Sequence, residues 1–118
     1  MTPERGRPVD VSVLVPAKDE AESLPVFIAQ CAEALASVPF SFEVVVVDDG
    51  SRDATGEVLG ALARQHGFLR VVRHRRQQGI ADALQSASDA ARGDVLVFYP
   101  ADLQYRPVDI PALVAPIL

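Results

Sequence analysis

The chain has 118 residues, which is enough for one compact domain and too few for a multidomain enzyme. Hydrophobic residues make up 49% and charged residues 23%, a composition typical of a globular protein with one core. Its 16 acidic and 11 basic residues give a net charge of −5, so we expect no nucleic-acid partner. The one cysteine, Cys31, excludes an internal disulfide and a cysteine-based zinc site.

The two ends of the chain differ in character. Residues 1–8 are polar and predict a flexible leader, whereas residues 9–118 predict a single domain. No apolar run reaches the roughly 20 residues of a membrane-spanning helix, and no signal-like leader begins the chain. We therefore expect a cytoplasmic protein, peripheral to the membrane within a longer parent.

Short apolar runs alternate along the chain with segments of helical character. Strands are predicted over residues 9–15, 42–47, 68–73 and 94–99. Helices are predicted from near Glu20 and over 53–65, 80–91 and 107–118. Continuous apolar strands that alternate with helices are typical of a parallel sheet covered on both faces. The sequence therefore predicts a doubly wound α/β fold with a mainly parallel sheet.

Several residues carry helix-boundary signals. Asp19 with Glu22 three residues later resembles a capping box, and Asp53 is expected to cap the second helix. Gly67 and Gly93 are predicted to end the second and third helices. The predicted core stripe of the first helix is Leu24, Phe27, Ile28, Cys31 and Leu35.

Ligands of open α/β sheets bind outside the carboxyl ends of the strands. The loops predicted there cover residues 16–20, 48–51, 74–79 and 100–104, and three of these four loops carry carboxylates. Clustered carboxylates repel one another unless a cation lies between them, and a hard divalent cation bound by oxygen atoms meets that need. Asp48, Asp49 and Asp102 are therefore candidate ligand-site residues, the alternative being that they are ordinary loop acids.

Other common site signatures are absent from the sequence. There is no Gly-x-Gly-x-x-Gly after the first strand and no Walker A motif. Neither His66 nor His74 adjoins a serine or cysteine nucleophile with a clear partner. A basic cluster follows the third strand, either as a solvated strand end or as a contact for phosphate, and both interpretations stay open. It comprises Arg70, Arg73, His74, Arg75 and Arg76.

Four segments of the chain together resemble the N-terminal half of a family 2 glycosyltransferase. They are VSVLVPAKDEAESLP, FEVVVVDDGSRDAT, ALQSASDAARGD after Gly79, and VFYPADLQYRPVDIP. The similarity is greatest to the dolichol- or polyprenyl-phosphate mannosyl- or glucosyltransferase branch, and it covers residues 9–118. It implies the GT-A fold and a GDP- or UDP-linked sugar donor. It also implies a polyprenyl or dolichyl phosphate acceptor and the assistance of Mg²⁺ or Mn²⁺.

The same resemblance implies roles for individual residues. Pro16, Lys18 and Glu20 would line the base and ribose pocket, and Asp49 would contact the base with Asp48 beside it. Gly79 and Ala83 would let a helix approach the nucleotide. Asp102 and Gln104 would hold a metal that bridges the two phosphates and stabilises the leaving nucleotide. The full implied nucleotide-binding set is Pro16, Ala17, Lys18, Glu20, Asp48, Asp49, Gly50, Ser51, Gly79, Ala83, Ala101 and Asp102.

The chain departs from the family pattern at three positions. Pro100 replaces the first aspartate of the Asp-x-Asp motif, Lys18 replaces an aromatic residue, and Gln77 replaces the asparagine of an Asn-x-Gly turn. No general base can be named, so the catalytic residues are unknown. These departures leave open the alternative of a non-catalytic nucleotide-binding or interaction domain derived from a glycosyltransferase.

Two further expectations concern the class and extent of the chain. A phosphate-receiving signalling module is excluded, because it needs a lysine after a fifth strand and the one lysine, Lys18, follows the first. Family members need about another hundred residues for the acceptor side. We therefore expect the chain to be a fragment cut on its C-terminal side, or to form a homodimer across an uncovered sheet edge.

Overall fold

The computed structural model describes residues 8–102 and 106–118, so most of the predicted leader and Gln104 lie outside the described residues. None of the helices in the described part is long and apolar enough to cross a membrane. A 3₁₀ turn, Pro107–Asp109, precedes the last helix. In chain order the elements are β1 (Val9–Ala17), α1 (Ser23–Leu35), β2 (Phe42–Asp49), α2 (Thr55–Gln65), β3 (Leu69–His74), α3 (Ile80–Ala90), β4 (Gly93–Phe98) and α4 (Ile110–Val114).

The four strands form one sheet in the order β3-β2-β1-β4, and every neighbouring pair is parallel. Because side chains alternate along a strand, β2 presents Val44 and Val46 to one face and Val45 and Val47 to the other. Helices α1, α2 and α4 cover the first face and α3 covers the second. The predicted doubly wound α/β fold is confirmed.

The larger core lies between the sheet and α1, where Leu24, Phe27, Ile28, Cys31 and Leu35 are buried as predicted. Burial raises the pKa of the Cys31 thiol to about 12, so this side chain remains an uncharged core group. On the other face, α3 contributes two small buried residues, Ala83 and Ala87, against Leu14, Val45 and Val47. Alanine at these positions lets α3 lie close to the strands.

Strand β4 is an edge of the sheet in the described part of the chain. Its core-facing positions alternate with Leu96 and Phe98, whose side chains are 47% and 45% exposed. An edge strand offers unpaired backbone groups to another chain or segment. Association across this edge, including a homodimer, stays a prediction.

The capping-box interpretation of Asp19 is wrong. Helix α1 begins at Ser23, three residues after the predicted start, and Glu22 makes no side-chain cap. Asp19 adopts a left-handed backbone with φ of 54°, and its Oδ1 accepts hydrogen bonds from the N–H groups of Arg52 and Asp53. Asp19 therefore joins the loops after β1 and β2 instead of capping the first helix.

Asp53 was expected to cap α2, but the N-cap position is held by Ala54 and the helix begins at Thr55. Asp53 lies one residue earlier, and its Oδ1 accepts a hydrogen bond from the Thr55 N–H at 2.9 Å. Gly93 does not end α3. It is the first residue of β4, and a Cβ there would lie 2.6 Å from the Ser12 backbone nitrogen, so close strand packing explains this glycine. The last helix is also shorter than predicted, with α4 ending at Val114.

Candidate functional site

A cleft opens where the direction of sheet winding reverses. Strands β2 and β3 are added on one side of β1, whereas β4 lies on the other side, so the switch point lies between β1 and β4. A cavity of about 280 Å³ opens outside the carboxyl ends of these strands, as expected for a ligand site in such a sheet. The residues that line it are Pro16, Ala17, Lys18, Glu20, Asp49, Gln77, Ile80, Ala83, Phe98, Pro100, Ala101 and Asp102.

Most of the residues assigned to a nucleotide from the sequence lie in this cleft. They are Pro16, Ala17, Lys18, Glu20, Asp49, Ala83, Ala101 and Asp102. The remaining members of the set, Asp48, Gly50, Ser51 and Gly79, do not line it. Contact between any of these side chains and a nucleotide stays a prediction.

Asp49 stands at the end of β2 and holds the loop that leads into α3. Its Oδ1 accepts from the Gln78 N–H at 2.9 Å and lies 2.8 Å from His74 Nδ1, and its Oδ2 accepts from the Gly79 N–H at 3.0 Å. Burial raises the pKa of Asp49, but the hydrogen bonds from His74, Gln78 and Gly79 outweigh it and leave the pKa below its usual value. Asp49 is therefore a charged carboxylate fixed in one orientation at the cleft.

His74 has two partners, although none was evident from the sequence. Strand pairing sets His74 opposite Asp49, and its Nε2 lies 2.8 Å from the Ser86 hydroxyl on α3. Because a carboxylate only accepts hydrogen bonds, Nδ1 carries a proton that it donates to Asp49, and Nε2 shares a hydrogen bond with the Ser86 hydroxyl. The hydrogen-bonded series Asp49–His74–Ser86 thus connects β2, β3 and α3 beside the cleft. Only Asp49 of the three lines it.

Asp48 does not lie beside Asp49 in the site, because successive residues of a strand point to opposite faces. Its Oδ1 accepts from the Ser51 N–H at 3.1 Å, and its buried Oδ2 has no hydrogen-bond partner. The nearest cation, Arg73, has its Nε 3.9 Å from that oxygen, which is beyond hydrogen-bond distance. Asp48 is therefore positioned to organise the loop after β2, on the face opposite the cleft.

The loop after β2 is tied to the loop after β1. Gly50 adopts a φ of 72°, and its carbonyl oxygen accepts a hydrogen bond from Lys18 Nζ at 2.8 Å. The Ser51 hydroxyl accepts from the Asp19 N–H at 2.9 Å. Gly79 also has a positive φ, 101°, and a Cβ there would meet no atom within 4 Å, so its conformation alone favours glycine.

The basic cluster predicted after β3 is divided by the fold. Arg70 lies at the start of the strand, where it contacts Glu43, and Arg73 turns to the face that carries Asp48. His74 is buried, whereas Arg75 and Arg76 are exposed on the loop after β3, and Arg73 is exposed on the strand itself. The five residues therefore do not form one phosphate-contacting surface.

A buried carboxylate network at the opposite ends of the strands was missed from the sequence. Glu43 of β2 is fully buried, and its Oε2 accepts from the Ser12 hydroxyl at 2.6 Å and the Arg92 N–H at 2.7 Å. Its Oε1 accepts from the guanidinium groups of Arg70 and Arg92, at 3.1 and 2.9 Å. An acid within the apolar run FEVVVV was the available signal. The network lies away from the cleft and supports the fold.

The comparison with known proteins gives the family. Residues 12–118 match the family model described as Glycosyl transferase family 2. The chain belongs to this family. The resemblance inferred from the sequence motifs is thereby confirmed.

Curated relatives of this family 2 chain include two bacterial enzymes named for lipid-phosphate substrates. The undecaprenyl-phosphate 4-deoxy-4-formamido-L-arabinose transferase of Pseudomonas paraeruginosa is 40% identical over 109 residues, which cover 91% of this chain and 32% of the relative. The dodecaprenyl-phosphate galacturonate synthase of Rhizobium johnstonii is 35% identical over 108 residues, which cover 91% and 32%. The chain spans about a third of the length of these relatives.

Solved structures share the fold of the family 2 chain. The mannosyltransferase PcManGT of Pyrobaculum calidifontis, in complex with GDP-Man and Mn²⁺, superposes with a TM-score of 0.69 at 28% identity, covering 95% of this chain and 33% of that one. The glucosyl-3-phosphoglycerate synthase of Mycobacterium tuberculosis, with Mn²⁺, UDP and phosphoglyceric acid, gives a TM-score of 0.72 at 28% identity, covering 93% and 39%. The expected GT-A arrangement is confirmed.

The family implies a divalent metal, and such an ion needs several oxygen donors close together. No group of three or more histidine, cysteine, aspartate or glutamate residues that could hold a metal occurs within residues 8–102 and 106–118. The cleft does contain Asp102, which follows β4, and Pro100 contributes no carboxylate. Mg²⁺ is commonly bound by one or two carboxylates together with water and substrate phosphates. Asp102 therefore fits an ion whose other ligands are water and substrate phosphate oxygens, and not an ion held by protein side chains alone.

Proposed function

We propose that this chain is the donor-binding part of a glycosyltransferase that transfers a sugar from a GDP- or UDP-linked donor to a polyprenyl or dolichyl phosphate. The observation that carries the proposal is the cleft at the β1–β4 switch point, with Asp49 at one side and Asp102 at the other. The names of the lipid-phosphate relatives support the acceptor class, and the nucleotides bound in the related structures support the donor class.

The cleft offers different chemistry on its two sides. Ala83 and Ile80 of α3 give an apolar wall near the fixed carboxylate of Asp49, which suits a nucleoside. On the other side, Asp102 would hold Mg²⁺ or Mn²⁺ together with the donor diphosphate, and the role of Gln104 in the same shell is also a proposal. When bound, the ion neutralises the phosphates and stabilises the leaving nucleotide. Lys18, 29% exposed, adds positive charge to the cleft wall.

The acceptor determines where such an enzyme works. A polyprenyl or dolichyl phosphate is held in a membrane, so the proposal includes peripheral association of the domain with the membrane surface. The nucleotide-sugar donor is water-soluble, and we propose that the reaction takes place on the cytoplasmic side.

The first test concerns metal-dependent nucleotide binding. Calorimetric titration of the chain with UDP and GDP should show that one nucleotide binds more tightly with Mn²⁺ than without it. Asp102→Asn should reduce the Mn²⁺-dependent affinity about tenfold or more, the loss of one interaction with a charged group. Asp94→Asn removes an exposed aspartate from the other end of β4 and should leave the affinity unchanged. A folded chain that binds neither nucleotide would contradict the proposal.

A second candidate function is a non-catalytic nucleotide-binding or interaction domain. One observation favours it: Pro100 occupies the position of the first aspartate in the family motif, at the edge of the cleft. Sugar transfer to polyprenyl phosphate by a protein that carries this domain at the length of its relatives would separate the two functions. Binding of nucleotide without turnover by that protein would support the second.

His74 gives a further test of the donor site. His74→Leu removes the ring that bonds Asp49 Oδ1, so we expect nucleotide affinity to fall about tenfold. Ser86→Ala leaves the ring on Asp49 and should have a smaller effect, whereas Ser88→Ala on the same helix should have none. The measurement is calorimetric titration beside urea unfolding of each variant. Wild-type affinity in His74→Leu would show that the other bonds to Asp49 suffice.

A further inference from the structure

A second cavity, of about 450 Å³, lies between the loops after β2 and β3. Four of the residues that border it are cationic: Lys18, Arg52, Arg75 and Arg76. Asp19 is the one acid on its border. We name this cavity the arginine pocket. Its excess of positive charge contrasts with the net charge of −5 of the chain.

The arginines of the pocket differ from Arg70, Arg73 and Arg92, each of which faces a buried carboxylate. Arg70 and Arg92 bond Glu43, and Arg73 faces Asp48. By contrast, the side chains of Arg52, Arg75 and Arg76 are exposed and have no acidic partner within residues 8–102 and 106–118.

Asp19 offsets only part of the positive charge of the arginine pocket. The N–H groups of Arg52 and Asp53 hold the pKa of Asp19 below its usual value and occupy its Oδ1. Its Oδ2 lies 3.6 Å from Lys18 Nζ, the cation that is already tied to Gly50. The three guanidinium groups are therefore left to attract a further anion.

We propose that the arginine pocket is a second anion-binding site, which takes a phosphate group other than the donor diphosphate. Guanidinium groups present paired N–H donors that match phosphate oxygens, and several of them around one cavity favour this ligand class. The phosphate belongs either to a soluble phosphate compound or to the headgroup of an anionic lipid.

The position of the pocket separates it from the proposed diphosphate site. Neighbouring strands lie about 4.8 Å apart, so the ends of β3 and β4, three spacings apart in the sheet, are separated by roughly 14 Å. Arg75 and Arg76 follow β3, whereas Asp102 follows β4. A donor diphosphate beside Asp102 would lie about that far from the loop that carries Arg75 and Arg76, and the inference therefore goes beyond the proposed function. Lys18 and Gln77 border both cavities, so the two sites share a wall.

The test uses inorganic phosphate and pyrophosphate as soluble probes, with amide chemical shifts measured by NMR in EDTA. EDTA removes divalent ions, and without such an ion the carboxylate of Asp102 repels these probes. Binding at the arginine pocket can therefore be tested even if the donor proposal fails. We expect shifts at Gly50, Ser51 and Gln77. The double variant Arg75→Gln/Arg76→Gln should bind about tenfold more weakly. Arg64→Gln, which removes an exposed charge at the far end of α2, should change affinity less than twofold.

Sedimentation with vesicles distinguishes the source of the phosphate. Vesicles of phosphatidylcholine with and without phosphatidylglycerol are compared for the wild type and the same variants. Binding to the anionic vesicles that Arg75→Gln/Arg76→Gln abolishes supports a lipid headgroup, whereas saturable binding of soluble phosphate without vesicle binding supports a soluble ligand. The proposal is overturned if no probe shifts the pocket amides and no vesicle binds. It is equally overturned if Arg64→Gln weakens binding as much as the double variant.

Discussion

Glu43→Ala is expected to lower the free energy of unfolding by about 3 kcal/mol, the lower part of the range for a buried ion pair that loses one partner. The Glu43 carboxylate is fully buried and accepts hydrogen bonds from Ser12, Arg70 and Arg92. Its removal leaves the Ser12 hydroxyl buried without this acceptor. The two guanidinium groups keep some access to water, which limits the loss. Urea unfolding followed by circular dichroism at neutral pH measures the change.

The matched control is Glu33→Ala, which removes an exposed glutamate from α1 and should change stability by no more than about 0.5 kcal/mol. A comparable loss in Glu33→Ala and Glu43→Ala would contradict the role given to the network. In that case, hydration of Arg70 and Arg92 would replace the bonds to Glu43 at no cost.

The contribution of Glu43 should also depend on pH. Burial raises the pKa of Glu43, but the hydrogen bonds from Ser12, Arg92 and Arg70 together lower it by a larger amount. The folded pKa therefore lies below the unfolded value of about 4.3. The stabilisation is therefore fully present above pH 4.3 and is lost as pH falls through the folded pKa. The stability difference between wild type and Glu43→Gln should narrow over that acidic range.

The sheet could be predicted from the sequence because each strand is a local apolar signal. Strand β1, predicted to end at Val15, runs through Pro16 to Ala17, because its pairing with β2 continues there. The main error in β2 was its end, predicted at Val47 and found at Asp49. The aspartates look like loop residues in isolation, but pairing with β3 continues through Asp48–Arg73 and Asp49–His74. This extension of the ladder brings Asp49 and His74 together.

The parts of the site that were missed depend on contacts between distant segments. Glu43 bonds Arg92, 49 residues away, and no local pattern gives that distance. His74 contacts Ser86 only because α3 packs on the same face of the sheet to which the His74 side chain points. Strand alternation, in contrast, was available from the sequence and would have separated Asp48 from Asp49 once both were assigned to the strand.

Gly50→Ala is expected to lower the free energy of unfolding by about 2–5 kcal/mol, the sum of a left-handed backbone for a non-glycine residue and the overpacking of a tight contact. Gly50 has a φ of 72°, and a Cβ there would lie 2.3 Å from the Gln77 nitrogen and 2.4 Å from the Arg76 carbonyl carbon. Both are backbone atoms, so the loop after β3 must move. Urea unfolding measures the loss. Calorimetry should show weaker nucleotide binding, because Asp49 holds the next residues of that loop.

Two other glycines separate the causes of this loss. Gly79→Ala introduces the backbone strain alone, since φ is 101° and a Cβ would meet nothing within 4 Å. Gly67→Ala introduces neither strain nor contact and should be nearly neutral. The expected order of destabilisation is Gly50, Gly79, Gly67. If Gly50→Ala lowered the free energy of unfolding no more than Gly79→Ala, the loop after β3 would move to accommodate the new Cβ at no measurable cost. The bonds from Asp49 would then be too weak to fix that wall of the cleft.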